Sequence, residues 1–175
     1  MKSNQLESKK RLLTWLESTC GISNTELQLL GASIVSWAFF EYELEKAIWR
    51  LSNIDPAGTR PKTDGMQASG RVKEFRTVSC SQGSDEWKTL AKIAADAIDN
   101  ILMLRNTIAH GHVLPAGVGG GLLNNPRWHG EERKKETQDL HLSEQTMSLI
   151  LNATFDLIQF MALIIHSPLE PFNAQ

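Results

Sequence analysis

Several things the chain lacks narrow what it can be. It has only two cysteines, Cys20 and Cys80, far apart in sequence and without metal-ligand spacing, so the sequence is read as carrying reduced thiols and no disulfide framework. It has no excess of one charge: 18 Lys and Arg against 20 Asp and Glu leave a net charge of -2. Without a strong positive field, any RNA contact must come from local basic clusters. Apolar runs are short. The longest, near Phe155 to Ile165, is read as too short to span a bilayer, and the polar N-terminus does not have the pattern of a signal peptide. No repeat period is visible, and Gly117-Val118-Gly119-Gly120-Gly121 lacks the Lys-Ser/Thr of a phosphate-binding loop. A soluble cytoplasmic protein with no membrane segment, no metal and no cofactor is expected.

What is present is enough apolar sequence for one core, 41% of 175 residues, and a helical period through most of it. A single domain over residues 1–175 is expected. Residues 4–19 read as an amphipathic helix with Leu12, Leu13 and Leu16 inward and Lys9, Lys10 and Arg11 outward, ended by Gly21. Ser23 or Asn24 caps a long helix reaching about Asn53, ahead of Asp55-Pro56. On a helical wheel Leu30, Ser33, Ile34, Trp37, Phe40, Leu44, Ala47, Ile48 and Leu51 share one arc, with Glu41 inside it. Val35, Phe39 and Trp49 lie opposite, which implies a second contact, either within the bundle or with another copy.

After a loop over residues 55–64, a shorter helix from about Met66 to Val78 has Val72 and Phe75 as anchors and Arg71, Lys73 and Arg76 on its polar sides, as a solvated face or a phosphate contact. Gly70 in its first turn suggests the close approach of a neighbouring backbone. Ser84 or Asp85 caps a helix running to about His110, with Trp87, Leu90, Ala94, Ala97, Ile98, Ile101, Leu102 and Ile108 on one arc. Arg105 projects from that apolar arc and needs an acceptor, for which Glu41 is the candidate. Residues 111–142 are too rich in Gly, Pro, Asn and charge for an ordinary connection. They read as a long loop, or as a small hairpin if Leu140-His141-Leu142 pairs with a strand near Leu122 to Trp128. Ser143 caps a last helix apolar on nearly every side, which must then be buried on most sides.

The stretch that carries chemistry is Arg105-Asn106-Thr107-Ile108-Ala109-His110-Gly111, at the end of the fourth helical segment. A guanidinium, an amide and an imidazole at one helix end can bind a phosphate, stabilise charge growing on it and move a proton. The spacing Arg-Asn-x3-His-Gly resembles the signature of the HEPN domains, small helical proteins many of which are dimeric ribonucleases of toxin and defence systems. The likeness extends loosely to the order of the helices. It implies an all-α, antiparallel four- to five-helix bundle of HEPN type, with residues 1–20 as an N-terminal helix and 111–142 as an insertion before the last helix.

The resemblance also implies a metal-independent endoribonuclease. His110 would act as general base on a ribose 2'-hydroxyl, Arg105 would stabilise the phosphorane through two parallel donors, and Asn106 would orient the phosphate or the histidine. Glu41, His112, Arg71, Lys73 and Arg76 would support or contact substrate. On a regular helix five residues subtend about 500°, so Arg105 and His110 point about 140° apart. Either the helix loosens at His110 or a second copy completes the site, and the resemblance favours a homodimer. Expected partners are single-stranded RNA and an antitoxin or regulatory protein. The alternatives are a non-catalytic dimer of the same fold binding a nucleotide or protein, and a structural dimer in which Arg105 serves Glu41 and His110 is a helix-end cation. His112, His129 and His141 lack the spacing of a zinc site. Lys9-Lys10-Arg11 and Arg133-Lys134-Lys135 are RNA-backbone contacts or solvated surface.

Overall fold

The computed structural model describes residues 2–54, 63–114, 121–125, 128–129, 132–133 and 138–167, with 2–6, 128–129, 132–133 and 138 described by their backbone alone. Residues 55–62 of the loop expected at 55–64, residues 117–120 of the glycine run and the cluster Arg133-Lys134-Lys135 thus lie outside the described side chains. The protein is mostly helical: α1 (Lys2–Cys20), α2 (Asn24–Leu51), α3 (Ala68–Cys80), α4 (Asp85–His110) and α5 (Glu144–His166). A three-stranded antiparallel sheet in the order β1 (His112–Leu114), β2 (Leu122–Asn125), β5 (Gln138–His141) precedes α5, and β3 (Trp128–His129) pairs with β4 (Glu132–Arg133).

Local signals set the helix ends. Gly21 adopts a φ of 64°, the left-handed conformation that terminates α1, and its N–H donates to the Glu17 carbonyl. Ser23 and Glu26 form a reciprocal capping box: the Glu26 N–H donates to Ser23 Oγ at 3.1 Å and the Ser23 N–H to Glu26 Oε2 at 2.7 Å. Ser84 Oγ accepts from the Trp87 N–H, and Ser143 Oγ from the Thr146 N–H. Gln67 precedes α3 without a side-chain cap. At Gly70 an added Cβ would meet, among the described residues, only the Met66 side chain at ordinary contact distance, so the close backbone expected there is not found.

Contacts divide the chain into two compact units, residues 1–34 with 104–151, and 35–103 with 152–175. The first holds α1, the sheet and segments of α2, α4 and α5. Its core is Cys20, Ile22, Leu123, Leu140, Leu142, Met147 and Ile150, against which Leu16, Leu27, Leu104 and Ile108 pack. Gly121 is required here, because a Cβ would come within 2.6 Å of Ile22 Cγ1. Leu12, placed inward by the helical period, is exposed, while Leu13 and Leu16 are half-buried.

The second unit is helical, with Phe40, Leu44, Ile48, Leu51, Val72, Phe75, Ile98, Met161 and Ile164 fully buried. Trp49, on the side of α2 opposite the main arc, is buried, so at this residue the second contact implied for that side lies within the chain. Its indole N–H donates to Thr63 Oγ1 at 3.1 Å, and that hydroxyl donates to the buried Glu45 carboxylate. The polar partner is what allows the indole inside. Val35 and Phe39 remain exposed, at 70% and 51%, and so do Ile34 and Leu90, which the period had placed inward.

α5 buries one stripe, Met147, Ile150, Thr154, Leu157, Ile158, Met161 and Ile164, and leaves Leu149, Phe155 and Leu163 exposed. Burial on most sides is thus not achieved within one chain. The helix is longer than that apolar run: its 23 residues are long and apolar enough to cross a membrane by length and composition, although a buried stripe of this kind is also what a core helix shows.

Candidate functional site: the end of α4

α4 continues as an α-helix through His110, and the Gly111 N–H still donates to the Thr107 carbonyl at 2.8 Å, so the helix does not loosen at the histidine. Thr107 is buried, and Leu104 and Ile108 pack against the core of the first unit, which fixes the orientation of this last stretch. Arg105 and Asn106 are half-buried, and His110 is exposed. Arg105 Nη1 donates to Asn106 Oδ1 at 3.1 Å, so the guanidinium and the amide are held together in one chain. The regular helix turns His110 about 140° from Arg105.

Gly111 follows without entering the left-handed region that a glycine ending a helix commonly adopts. Its role is steric. A Cβ would overlap the Thr107 carbonyl oxygen and lie 3.4 Å from the Asn124 carbonyl oxygen, so only glycine lets the chain pass directly from helix to sheet.

That passage makes His112 the first residue of β1, not a loop residue. β1 and β2 pair with His112 opposite Asn124, and β2 and β5 pair with Asn124 opposite Asp139. Asn124 Nδ2 donates to Asp139 Oδ1 at 2.5 Å, and Asn125 Nδ2 reaches the Asn106 carbonyl at 3.4 Å, which ties β2 to the motif helix. Asn124, Asn125 and Asp139 were not singled out in the sequence. Their only signal was the weak alternation of Leu140 to Leu142, which shows a strand but not what lies beside it.

No family model, curated protein or solved structure matches the chain.

The remaining candidates lie in the second unit. Arg71 donates to Glu41 Oε2 at 3.1 Å and lies 3.8 Å from Glu45 Oε1. Glu41 also accepts from the Trp37 indole. The sequence paired Glu41 with Arg105, a residue of the other unit; within its own unit Glu41 serves Arg71 and Trp37. Arg76 forks onto Asp96 and Asp99 at 2.8 Å each, and the Asp96 hydrogen bond above all holds its pKa above the ordinary arginine value. Arg71 and Arg76 thus join α3 to α2 and α4, while Lys73 stands exposed. Lys9, Lys10 and Arg11 are also exposed. Among the described residues no three His, Cys, Asp or Glu side chains gather as a metal would require.

Proposed function

We propose that the protein is a metal-independent endoribonuclease of HEPN type that acts as a homodimer on single-stranded RNA, in a toxin or defence role under the control of an antitoxin or regulatory protein. The observation that carries the reading is Arg105 held beside Asn106, and His110 exposed, on the last turns of an unbroken helix that ends at an obligatory glycine. His110 takes the proton of a ribose 2'-hydroxyl, and the 2'-oxygen attacks the adjacent phosphorus. Arg105 stabilises the charge on the non-bridging oxygens, and Asn106 orients it. The products are a 2',3'-cyclic phosphate and a 5'-hydroxyl.

Because the helix stays regular, Arg105 and His110 of one chain diverge, and a second copy supplies the complementary residue to each site. Exposed Ile34, Val113, Leu114 and Leu149 in the first unit give such a copy apolar surface to cover. Within the second unit Lys73 is an exposed cation, and Arg71 and Arg76 are internal ties.

The test is cleavage of mixed single-stranded RNA in EDTA by the wild type, His110→Ala and Arg105→Ala. Each variant is expected to lose at least about 10³-fold activity while remaining folded. Mixed dimers of the two inactive variants regain one complete site and so recover part of the activity. A folded wild-type dimer that cuts no RNA would make the protein a non-catalytic binding module. Unfolding of Arg105→Ala would mark the arginine as structural.

A further inference from the structure

Transesterification needs two proton transfers, and His110 performs only the first. The bond between phosphorus and the 5'-oxygen breaks with an alkoxide as leaving group, which must receive a proton. Two residues after His110, His112 opens β1. The pleat puts His112 and Leu114 on one face and Val113 on the other, the face on which Leu123 and Leu140 are buried. His112, Asn124 and Asp139 therefore form one row across the outer face, with His112 and Asp139 exposed and Asn124 half-buried. Directly opposed residues in an antiparallel pair bring their Cβ atoms to about 5 Å. Asn124 already donates its Nδ2 to Asp139. The other end of that amide, Oδ1, is an acceptor of the kind to which an imidazole N–H on β1 can donate.

We infer that His112 is the general acid of this reaction, held by Asn124 and Asp139 as positioning residues, an assignment that rests on the nuclease reading above. As the 2'-oxygen bonds to phosphorus and the bond to the 5'-oxygen breaks, the His112 imidazolium gives its proton to the 5'-oxygen while His110 holds the proton taken from the 2'-hydroxyl. Solvent then returns both rings to their starting states. Among the described residues, the titratable groups nearest His112 in the chain and across the sheet are His110 at the end of α4, and Asp139 and His141 on the outer face of β5.

The test uses two oligoribonucleotides, one ordinary and one with sulfur replacing the bridging 5'-oxygen at a single position, because a thiolate leaves without being protonated. On the ordinary substrate His112→Ala is expected to lose about 10²- to 10⁴-fold, and on the sulfur substrate to cut within about threefold of the wild type, whereas His110→Ala fails on both. Asn124→Ala and Asp139→Asn should show the same split with smaller losses. A His112→Ala protein impaired equally on both substrates, or on neither, overturns the assignment and leaves His110 in place. A wild type that cuts neither substrate removes the nuclease reading, and this one with it.

Discussion

The two stretches of α4 use polar residues in opposite ways. Over residues 85–103 the helix is closed in on itself and its unit: Ser84 caps it, Asp96 and Asp99 hold Arg76, the Trp87 indole donates to the Ser79 carbonyl, and Ala91, Ala95 and Ile98 are fully buried. Over residues 104–110 only Thr107 is buried, and the polar side chains that follow one another, Arg105, Asn106 and His110, are left half-buried or exposed. Charges that serve the fold are met by neighbouring helices. At the C-terminal end Arg105 holds Asn106, and His110 is exposed. One helix thus has a buried strut and a more exposed tip, and the two should respond differently to substitution.

The largest effect belongs to the strut. Ile98→Ala empties a fully buried site, and the lost transfer energy together with the cavity should cost about 2–5 kcal/mol. Thermal unfolding would show it, while cleavage measured well below the new midpoint should change little. A variant that keeps its stability but loses activity would mean that the two stretches are not separable. Next comes Gly111→Ala, at the junction of the tip with the sheet. Its methyl group would overlap the Thr107 carbonyl, and the last turn or β1 must shift to accept it. A stability cost of about 1–3 kcal/mol is expected. Because His110 and His112 flank the shifted residue, cleavage should also fall by about tenfold or more, in line with the sensitivity of such sites to small displacements. Full activity in this variant would show that the tip tolerates movement and that the steric need is for folding alone.

The contrast also explains which parts were legible beforehand. Helix starts were readable because Ser23, Ser84 and Ser143 act on N–H groups three residues away, and the end of α1 because Gly21 acts on its own φ. The motif at the end of α4 and the pairing of β2 with β5 were readable for the same reason: both are patterns within short stretches. Interactions over long sequence separation were not. Arg71 on Glu41 and Arg76 on Asp96 and Asp99 depend on which helices lie side by side, and the burial of Trp49 depends on Thr63, 14 residues away in sequence. Ile34 and Leu90 fall on apolar arcs yet remain exposed, because a period gives the direction of a side chain and not whether anything packs against it. β1 was missed since three residues are too few to show alternation.

The smallest effect sharpens the comparison at the helix's first turn. Glu86 has its pKa lowered, first by a hydrogen bond from Ser84 and then by its own backbone N–H. A carboxylate depressed in the folded state contributes stability above its unfolded pKa and loses it as pH falls through the folded value. The contribution is therefore present at neutral pH and disappears below the ordinary glutamate range. Ser84 also caps the Trp87 N–H, an interaction worth about 1 kcal/mol that does not titrate. Ser84→Ala should thus lower the midpoint of unfolding at every pH, and by slightly more at pH 7 than at pH 3. Glu86→Gln should lower it at pH 7 alone. Cleavage rates, corrected for the pH dependence of the chemistry itself, should follow neither change. A loss of activity in Glu86→Gln at neutral pH would show that the first turn is coupled to the tip, and the division of α4 into strut and tip would have to be given up.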